Sequence, residues 1–305
     1  MDDASIAHRP RSMAEMGAVQ ARAFGGADFA ASIRAYRPRP TDIVISPYGK
    51  CGTTWLQQTF HTLRTRGDMD FDDISRVVPW IETAQACELD IEAPQRADPR
   101  GFKSHLDYGA MPKGAKYVVS LRDPKDAMVS MYHFMEGWFF EPGSIGLEEF
   151  ARSRLPKDGA PGTDYWAHLV SWWTERDNPN VLLLSYEHMS AEPEKHVRRL
   201  AEFCGIALDD ELLALTLNNS SLAFMLKHKD RFDDAMMRRV SEVLGGLPPG
   251  SDSAKVREGK VGSHKAEMSP ALAATLDELW ATKVAPVTGF CSYAELEADI
   301  RARNA

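Results

Sequence analysis

Ile43-Val44-Ile45-Ser46-Pro47-Tyr48-Gly49-Lys50-Cys51-Gly52-Thr53-Thr54-Trp55-Leu56 is the stretch on which the fold turns. Ile43-Val44-Ile45 follows Thr41-Asp42 as a β-branched apolar run and predicts a short buried strand. Pro47, Gly49 and Gly52 predict a turn. Leu56, Thr59, Phe60 and Leu63 fall on one helical face and predict a helix directly after it. A turn of this kind leaves backbone N–H groups at a helix start without partners and points them outward. Lys50 adds a positive charge, and Thr53 and Thr54 add hydroxyls. The product is a cradle for a phosphate or sulfate group. The competing reading is an ordinary strand–turn–helix with a surface lysine. Packing Gly, Lys, Gly, Thr, Thr and Trp into one turn argues against it.

The stretch departs from the nucleoside triphosphate loop, Gly-x-x-x-x-Gly-Lys-Ser/Thr, whose last hydroxyl holds magnesium. Val44 occupies the first glycine position and Cys51 follows Lys50. The anion cradle is therefore kept while the metal-holding hydroxyl is missing from its place, and no metal is expected.

Composition narrows the partners. The 305 residues carry a net charge of −8, from 36 basic and 44 acidic residues. Such a chain is a poor candidate for nucleic acid or an anionic membrane. Any anion site must be a local gathering of positive groups. A hydrophobic content of 44% supports a sizeable core. Cys51, Cys87, Cys204 and Cys291 are scattered, with no paired spacing for a metal or redox motif, which predicts a reducing compartment. No apolar run reads as a leader or a bilayer span, so a cytoplasmic protein is expected.

Two more segments carry chemistry. Gly101-Phe102-Lys103-Ser104-His105 reads as a short strand ending in Lys-Ser-His. Ligands of open α/β sheets gather at strand C-termini, and histidine titrates near neutrality. With nine histidines in the chain, His105 is by this reading one candidate base among several. Tyr117 to Leu121 is a second apolar strand, closed by Arg122-Asp123-Pro124, with Pro124 suited to a first helical turn. Arg122 and Ser130 then lie on one strand–helix unit. A guanidinium donates two hydrogen bonds at once to a phosphate. Alternatively, Arg122 pairs with Asp123 or Asp126, and Ser130 is a small helix residue.

Tyr48-Gly49-Lys50-Cys51-Gly52-Thr53-Thr54-Trp55 resembles the 5′-phosphosulfate loop of the cytosolic-type sulfotransferases, which use 3′-phosphoadenosine-5′-phosphosulfate (PAPS). The family has Ser or Ala where Cys51 stands. Lys103-Ser104-His105-Leu106-Asp107 resembles its Lys-Thr-His-Leu-Pro segment, whose histidine is the general base. The Arg122–Ser130 segment resembles its 3′-phosphate site.

The resemblance runs from Asp42 to about Lys265. It implies a single α/β domain with a central parallel sheet flanked by helices, an N-terminal arm over 1–40 and a mobile nucleotide-binding loop over 245–265. It implies sulfuryl transfer from PAPS to a hydroxyl or amine of a small, partly apolar acceptor such as a phenol, alcohol or sterol, leaving adenosine 3′,5′-bisphosphate (PAP). His105, Lys50 and Lys103 become the catalytic set. Nucleotide contacts fall to Lys50, Cys51, Gly52, Thr53, Thr54, Trp55, Arg122 and Ser130. Val181 to Glu187 reads as another buried strand, and Tyr186 takes the position where the family contacts adenine. Ser220, Leu222 and Met225 sit in its adenine-flanking segment, with Leu222 replacing an aromatic. Arg257, Glu258 and Gly259 sit in its Arg-Lys-Gly segment, with Glu258 replacing lysine and His264 a tryptophan.

The rest of the chain reads as scaffold. One or two short helices are expected between Ser12 and Tyr36, a loop-rich insertion over 67–100 with a helix near Trp80–Ala86, and helices over Thr163–Arg176, Glu194–Cys204 and Ser269–Val284. Phe24, Phe29, Trp80, Ile81, Phe134 and Trp138-Phe139-Phe140 are candidates for either acceptor wall or core. The family's dimer motif is degraded at Ser269-Pro270 and Ala274, so monomer and homodimer both stay open. Two other functions stay open: a metal-dependent nucleotide kinase, and a non-catalytic protein of this fold that binds the adenosine bisphosphate.

Overall fold

The computed structural model describes residues 8–24, 27–156, 164–253 and 255–304. Four parallel strands form one sheet: β1 (Ile43–Ile45), β2 (Gly101–Lys103), β3 (Lys116–Leu121) and β4 (Val181–Ser185), in the order β2-β1-β3-β4. β1 pairs with β2 on one side and β3 on the other, with Ile43 opposite Gly101 and Lys116. The order reverses at β1/β3, and the crevice outside the strand C-termini opens there.

Both faces of the sheet are covered. Val44, Tyr117, Val119, Leu121, Val181 and Leu183 pack with Trp166, Leu169 and Trp172 of the Tyr165–Trp173 helix and with Leu296 and Ile300 of the Tyr293–Arg303 helix. Ile43, Ile45, Val118, Leu182 and Leu184 pack on the other face, with Leu56, Phe60 and Leu63 of the Thr53–Thr65 helix and Val197 and Leu200 of the Pro193–Cys204 helix. Strand side chains alternate between two apolar layers, as a parallel sheet buried on both sides requires. Phe60 is fully buried. A Cβ on Gly101 would lie 2.2 Å from its ring, so glycine lets β2 pass that close. Truncating Phe60 to Ala would cost about 3–5 kcal/mol.

The structure corrects several boundaries. The strand expected over Val181–Glu187 stops at Ser185, whose hydroxyl accepts from His188 N at 2.9 Å and starts a helix at Tyr186. Near Trp80–Ala86 only a single turn, Ile81–Thr83, is helical. The helix expected over Ser269–Val284 is α-helical from Pro270 to Leu279 and widens to a π-turn over Trp280–Val284. The arm carries two helices, Met13–Phe24 and Ala27–Ala35. The helix expected from Thr163 runs Tyr165–Trp173, and Thr163 lies outside the described residues, as does the side chain of Phe24. Among the described residues no helix is long and apolar enough to cross a membrane.

Candidate active site

The C-terminal ends of all four strands empty into one cavity of about 650 Å³. β1 delivers Lys50, β2 delivers Lys103 and His105, β3 delivers Arg122, and the end of β4 delivers Tyr186. At the end of β1, Gly52 is the N-cap of the Thr53–Thr65 helix at φ 97°, and no side chain caps it. The first N–H groups of that helix are therefore open to an anion. Only glycine adopts this conformation without strain, and its ideal Cβ would sit 3.1 Å from the Tyr186 ring. Lys50 is also left-handed, at φ 66°, a strained conformation for a residue with a side chain. The chain bends twice here to present the cradle.

Positive groups crowd this end. Lys50 Nζ lies 4.5 Å from the centre of the Phe134 ring and donates to the Lys255 carbonyl at 3.1 Å. Burial, then repulsion from Lys255 and Arg122, pulls its pKa down to about 7. Arg122 donates to the Lys50 carbonyl at 3.0 Å and the Lys260 carbonyl at 3.1 Å, and stacks over the Tyr186 ring at 4.2 Å. Trp55 meets the same ring edge-on at 5.7 Å. Buried polar atoms without a partner among the described residues include Thr53 Oγ1, Trp55 Nε1 and Arg122 Nε, all on cavity-lining residues. A phosphate-bearing nucleotide is the kind of ligand that uses such donors.

His105 stands two residues past the end of β2, the edge strand. Its backbone N–H donates to Glu82 Oε1 at 2.7 Å, and its ring lies edge-on to Trp80 at 5.2 Å. Nδ1 is 2.8 Å from the Pro47 carbonyl. A carbonyl only accepts, so Nδ1 carries the proton and Nε2 keeps its lone pair. Burial, then Lys103, holds the imidazole down to about 3, so it is neutral at physiological pH. Trp80, Met131, Phe134, Met135, Trp138 and Phe139 supply an apolar wall of the cavity.

Every site residue expected from the sequence lines this cavity, with one exception. Cys51 is fully buried, its Sγ turned to the Gly49 carbonyl at 3.8 Å, its N–H spent on Tyr48 and its carbonyl on Ser120. It offers the cavity nothing and shapes the turn from behind. Among the wall candidates Ile81 and Phe140 are buried in the core, and Phe29 is not at the cavity. Leu222 is 40% exposed and packs on Gly259.

The last loop is tied down by a carboxylate that the sequence reading weighed only as a partner of Arg122. Asp126 accepts from Gly262 N at 2.6 Å and from His264 N at 3.0 Å, and pairs with His264 Nδ1 at 2.7 Å. Burial would raise that carboxyl, but these donors outweigh it and the pKa falls. His264 therefore anchors the loop. Two residues were missed: Asp234 and Lys255, both lining the cavity. No local motif marks either, because their partners lie far away in the chain.

A family model described as sulfotransferase domain matches residues 40–288. The chain belongs to the sulfotransferase domain family. That membership makes it a sulfotransferase enzyme. The sulfotransferase is 28% identical over 273 residues to sulfotransferase 1C2 of Oryctolagus cuniculus, covering 85% of this chain and 88% of the relative. It is 26% identical over 297 residues to luciferin sulfotransferase of Photinus pyralis, covering 84% and 74%. Among solved structures, mouse sulfotransferase SULT7A1 complexed with PAP superposes at a TM-score of 0.67, with 21% identity, over 92% of this chain and 95% of that one. Retinol dehydratase in complex with retinol and PAP gives 0.67, with 18% identity, over 89% and 94%. These two likenesses are of fold.

Proposed function

We propose that this sulfotransferase moves the sulfuryl group of PAPS to a hydroxyl or amine of a small, partly apolar acceptor, with His105 as general base. One observation carries the reading: Lys50, Arg122, Arg257 and His105 share one cavity in an otherwise acidic protein. The orphaned donors of Thr53, Trp55 and Arg122 fit a nucleotide bearing separate phosphates. The PAP-bound structural neighbours agree with that choice.

When bound, PAPS would supply an activated sulfuryl group: a bond from sulfur to the acceptor's oxygen or nitrogen would form as the sulfur–oxygen bond to the 5′-phosphate breaks, with the electron pair leaving on PAP. The chain's part is positioning and charge. The cradle N–H groups of Gly52, Thr53 and Thr54, with Lys50, would hold the 5′ end. Arg122, Ser130 and Arg257 would hold the 3′-phosphate, and Tyr186 and Trp55 would flank adenine. Nε2 of His105 takes the acceptor proton. An imidazole held near 3 is a weak base, and negative charge placed beside it raises its pKa toward the working range. The apolar wall would receive the acceptor body. Four free cysteines suit a reducing compartment.

The test is transfer of labelled sulfate from PAPS to a panel of phenols, sterols and simple alcohols, beside PAP binding by calorimetry. Transfer to any of them with PAP binding is the expected result. Tight PAP binding with no transfer would leave a nucleotide-binding protein. Magnesium-dependent ATP turnover without PAP binding would make it a kinase.

A further inference from the structure

Lys103 and Lys255 converge on one carboxylate oxygen. Lys103 Nζ is 2.6 Å from Asp234 Oδ2, and Lys255 Nζ is ion-paired to the same atom. All three side chains are nine-tenths or more buried, at 2%, 4% and 7% exposure for Lys103, Asp234 and Lys255. Asp234 Oδ1 is taken by the Ser75 hydroxyl at 2.5 Å. Two ammonium groups carry more N–H donors than the lone pairs of one oxygen can take. The surplus lies on residues that line the cavity. Since both nitrogens touch Oδ2, they stand no farther apart than two hydrogen-bond lengths. Lys103 Nζ lies 4.0 Å from the centre of the Trp80 ring, which meets the His105 ring edge-on at 5.2 Å, so this pair of charges lies near His105. Lys255 also accepts from Lys50 through its carbonyl at 3.1 Å, which ties its backbone to the cradle.

We infer that Lys255 is a further sulfuryl-site lysine, acting beside Lys103, and that Asp234 is the positioning residue that sets both ammonium groups against the transferring oxygens. The inference rests on the proposed sulfuryl transfer. Charge builds on oxygen as the sulfuryl group moves, and a donor fixed in a dry site stabilises it most. One lysine there would supply charge from the strand side. Lys255 supplies it from the loop that carries Arg257. Asp234 keeps the two ammonium groups from repelling each other apart. Asp73 is a second carboxylate near enough to repel it, Cys87 and His105 also feel its charge, and Lys50 feels that of both lysines.

The experiment compares Lys255→Met with the wild type in two assays. PAP lacks the sulfuryl group, so its Kd should change less than about threefold, while kcat/KM with PAPS should fall on the order of 100-fold. Lys255→Arg, which keeps the charge, should recover most of that loss. Asp234→Asn suits the left-handed backbone at φ 49°, which Asn tolerates. It removes the anion that keeps Lys103 charged against burial, whose pKa is about 8. The alkaline limb of its pH–rate profile should move to lower pH. Lys255→Met with unchanged turnover overturns the inference. So does a PAP affinity that falls as far as turnover, or an unmoved alkaline limb in Asp234→Asn. A wild type that binds no PAP would instead sink the sulfuryl-transfer reading itself.

Discussion

The floor of the cavity and its roof are built in opposite ways. The floor is the set of strand ends, where each key residue lies within a few positions of the strand that delivers it: Lys50 after β1, His105 after β2, Arg122 after β3, Tyr186 after β4. The roof is the 222–262 region, and its links to the floor span the chain. Lys103 meets Asp234 across 131 positions, and Lys50 meets Lys255 across 205. The floor is held by the sheet and two buried apolar layers. The roof buries Met225, Phe232 and Met237 and adds ion pairs and hydrogen bonds, such as Asp233 with Arg238 and Ser253, and Asp126 with His264. The difference teaches where function is rigid. In the proposed reaction, proton transfer sits on the floor, whereas charge balance around the nucleotide is shared with the roof.

The largest expected effect is on the floor. His105→Ala should lower turnover by roughly 100- to 10,000-fold, the range for a lost general base, and leave PAP binding intact. Paired rate and calorimetry measurements read both. Near-normal turnover with intact binding would remove His105 from the role and break the division between floor and roof.

The same contrast governs what could be read from the chain. Strands β1 to β4, the cradle and Arg122 were legible because their determinants are local: β-branched runs, glycines, and a proline at a helix start. The end of β4 was overrun by two residues because Ser185 looks like a strand residue until its capping bond is seen. The fate of Cys51 was not legible either, since a thiol in a loop carries no mark of which way it turns. Asp234 and Lys255 lie in a stretch of mixed charge, Arg231 to Arg257, where each charged residue resembles part of a solvated face. Only tertiary folding buries them against Lys103. The helices Asp210–Asn219, Ala235–Gly245 and Tyr293–Arg303 were passed over, two of them starting at ordinary capping residues, Asp209 and Ser292.

A middle-sized effect joins the two regions through pH. Lys50 titrates at about 7 in the free protein, because burial and the roof and floor cations Lys255, Arg122, Lys103 and Arg257 disfavour its charge. A bound phosphate favours the protonated form. Binding above pH 7 must therefore take up a proton, and affinity falls as pH rises. PAP Kd should weaken by on the order of tenfold per pH unit between about 7 and 9. Calorimetry in buffers of differing ionisation enthalpy should report the uptake. A flat Kd over that range would mean that the roof does not burden Lys50.

The smallest effect belongs to the roof alone. Glu258 stands beside Arg257 at 3.6 Å, with its side chain 55% exposed, in the segment proposed to close on the 3′-phosphate. A carboxylate there opposes the phosphate and draws on the guanidinium that should bind it. Glu258→Lys reverses that charge in a solvated place, where screening keeps single charges weak. PAP affinity should improve by roughly two- to fivefold, an advantage that shrinks as salt is raised. Turnover at saturating PAPS should stay level, because the change touches neither His105 nor the Lys103–Asp234–Lys255 cluster. An affinity that falls on this substitution would mean that Glu258 holds Arg257 in place, and the roof would then be a positioning element and not only a counter-charge.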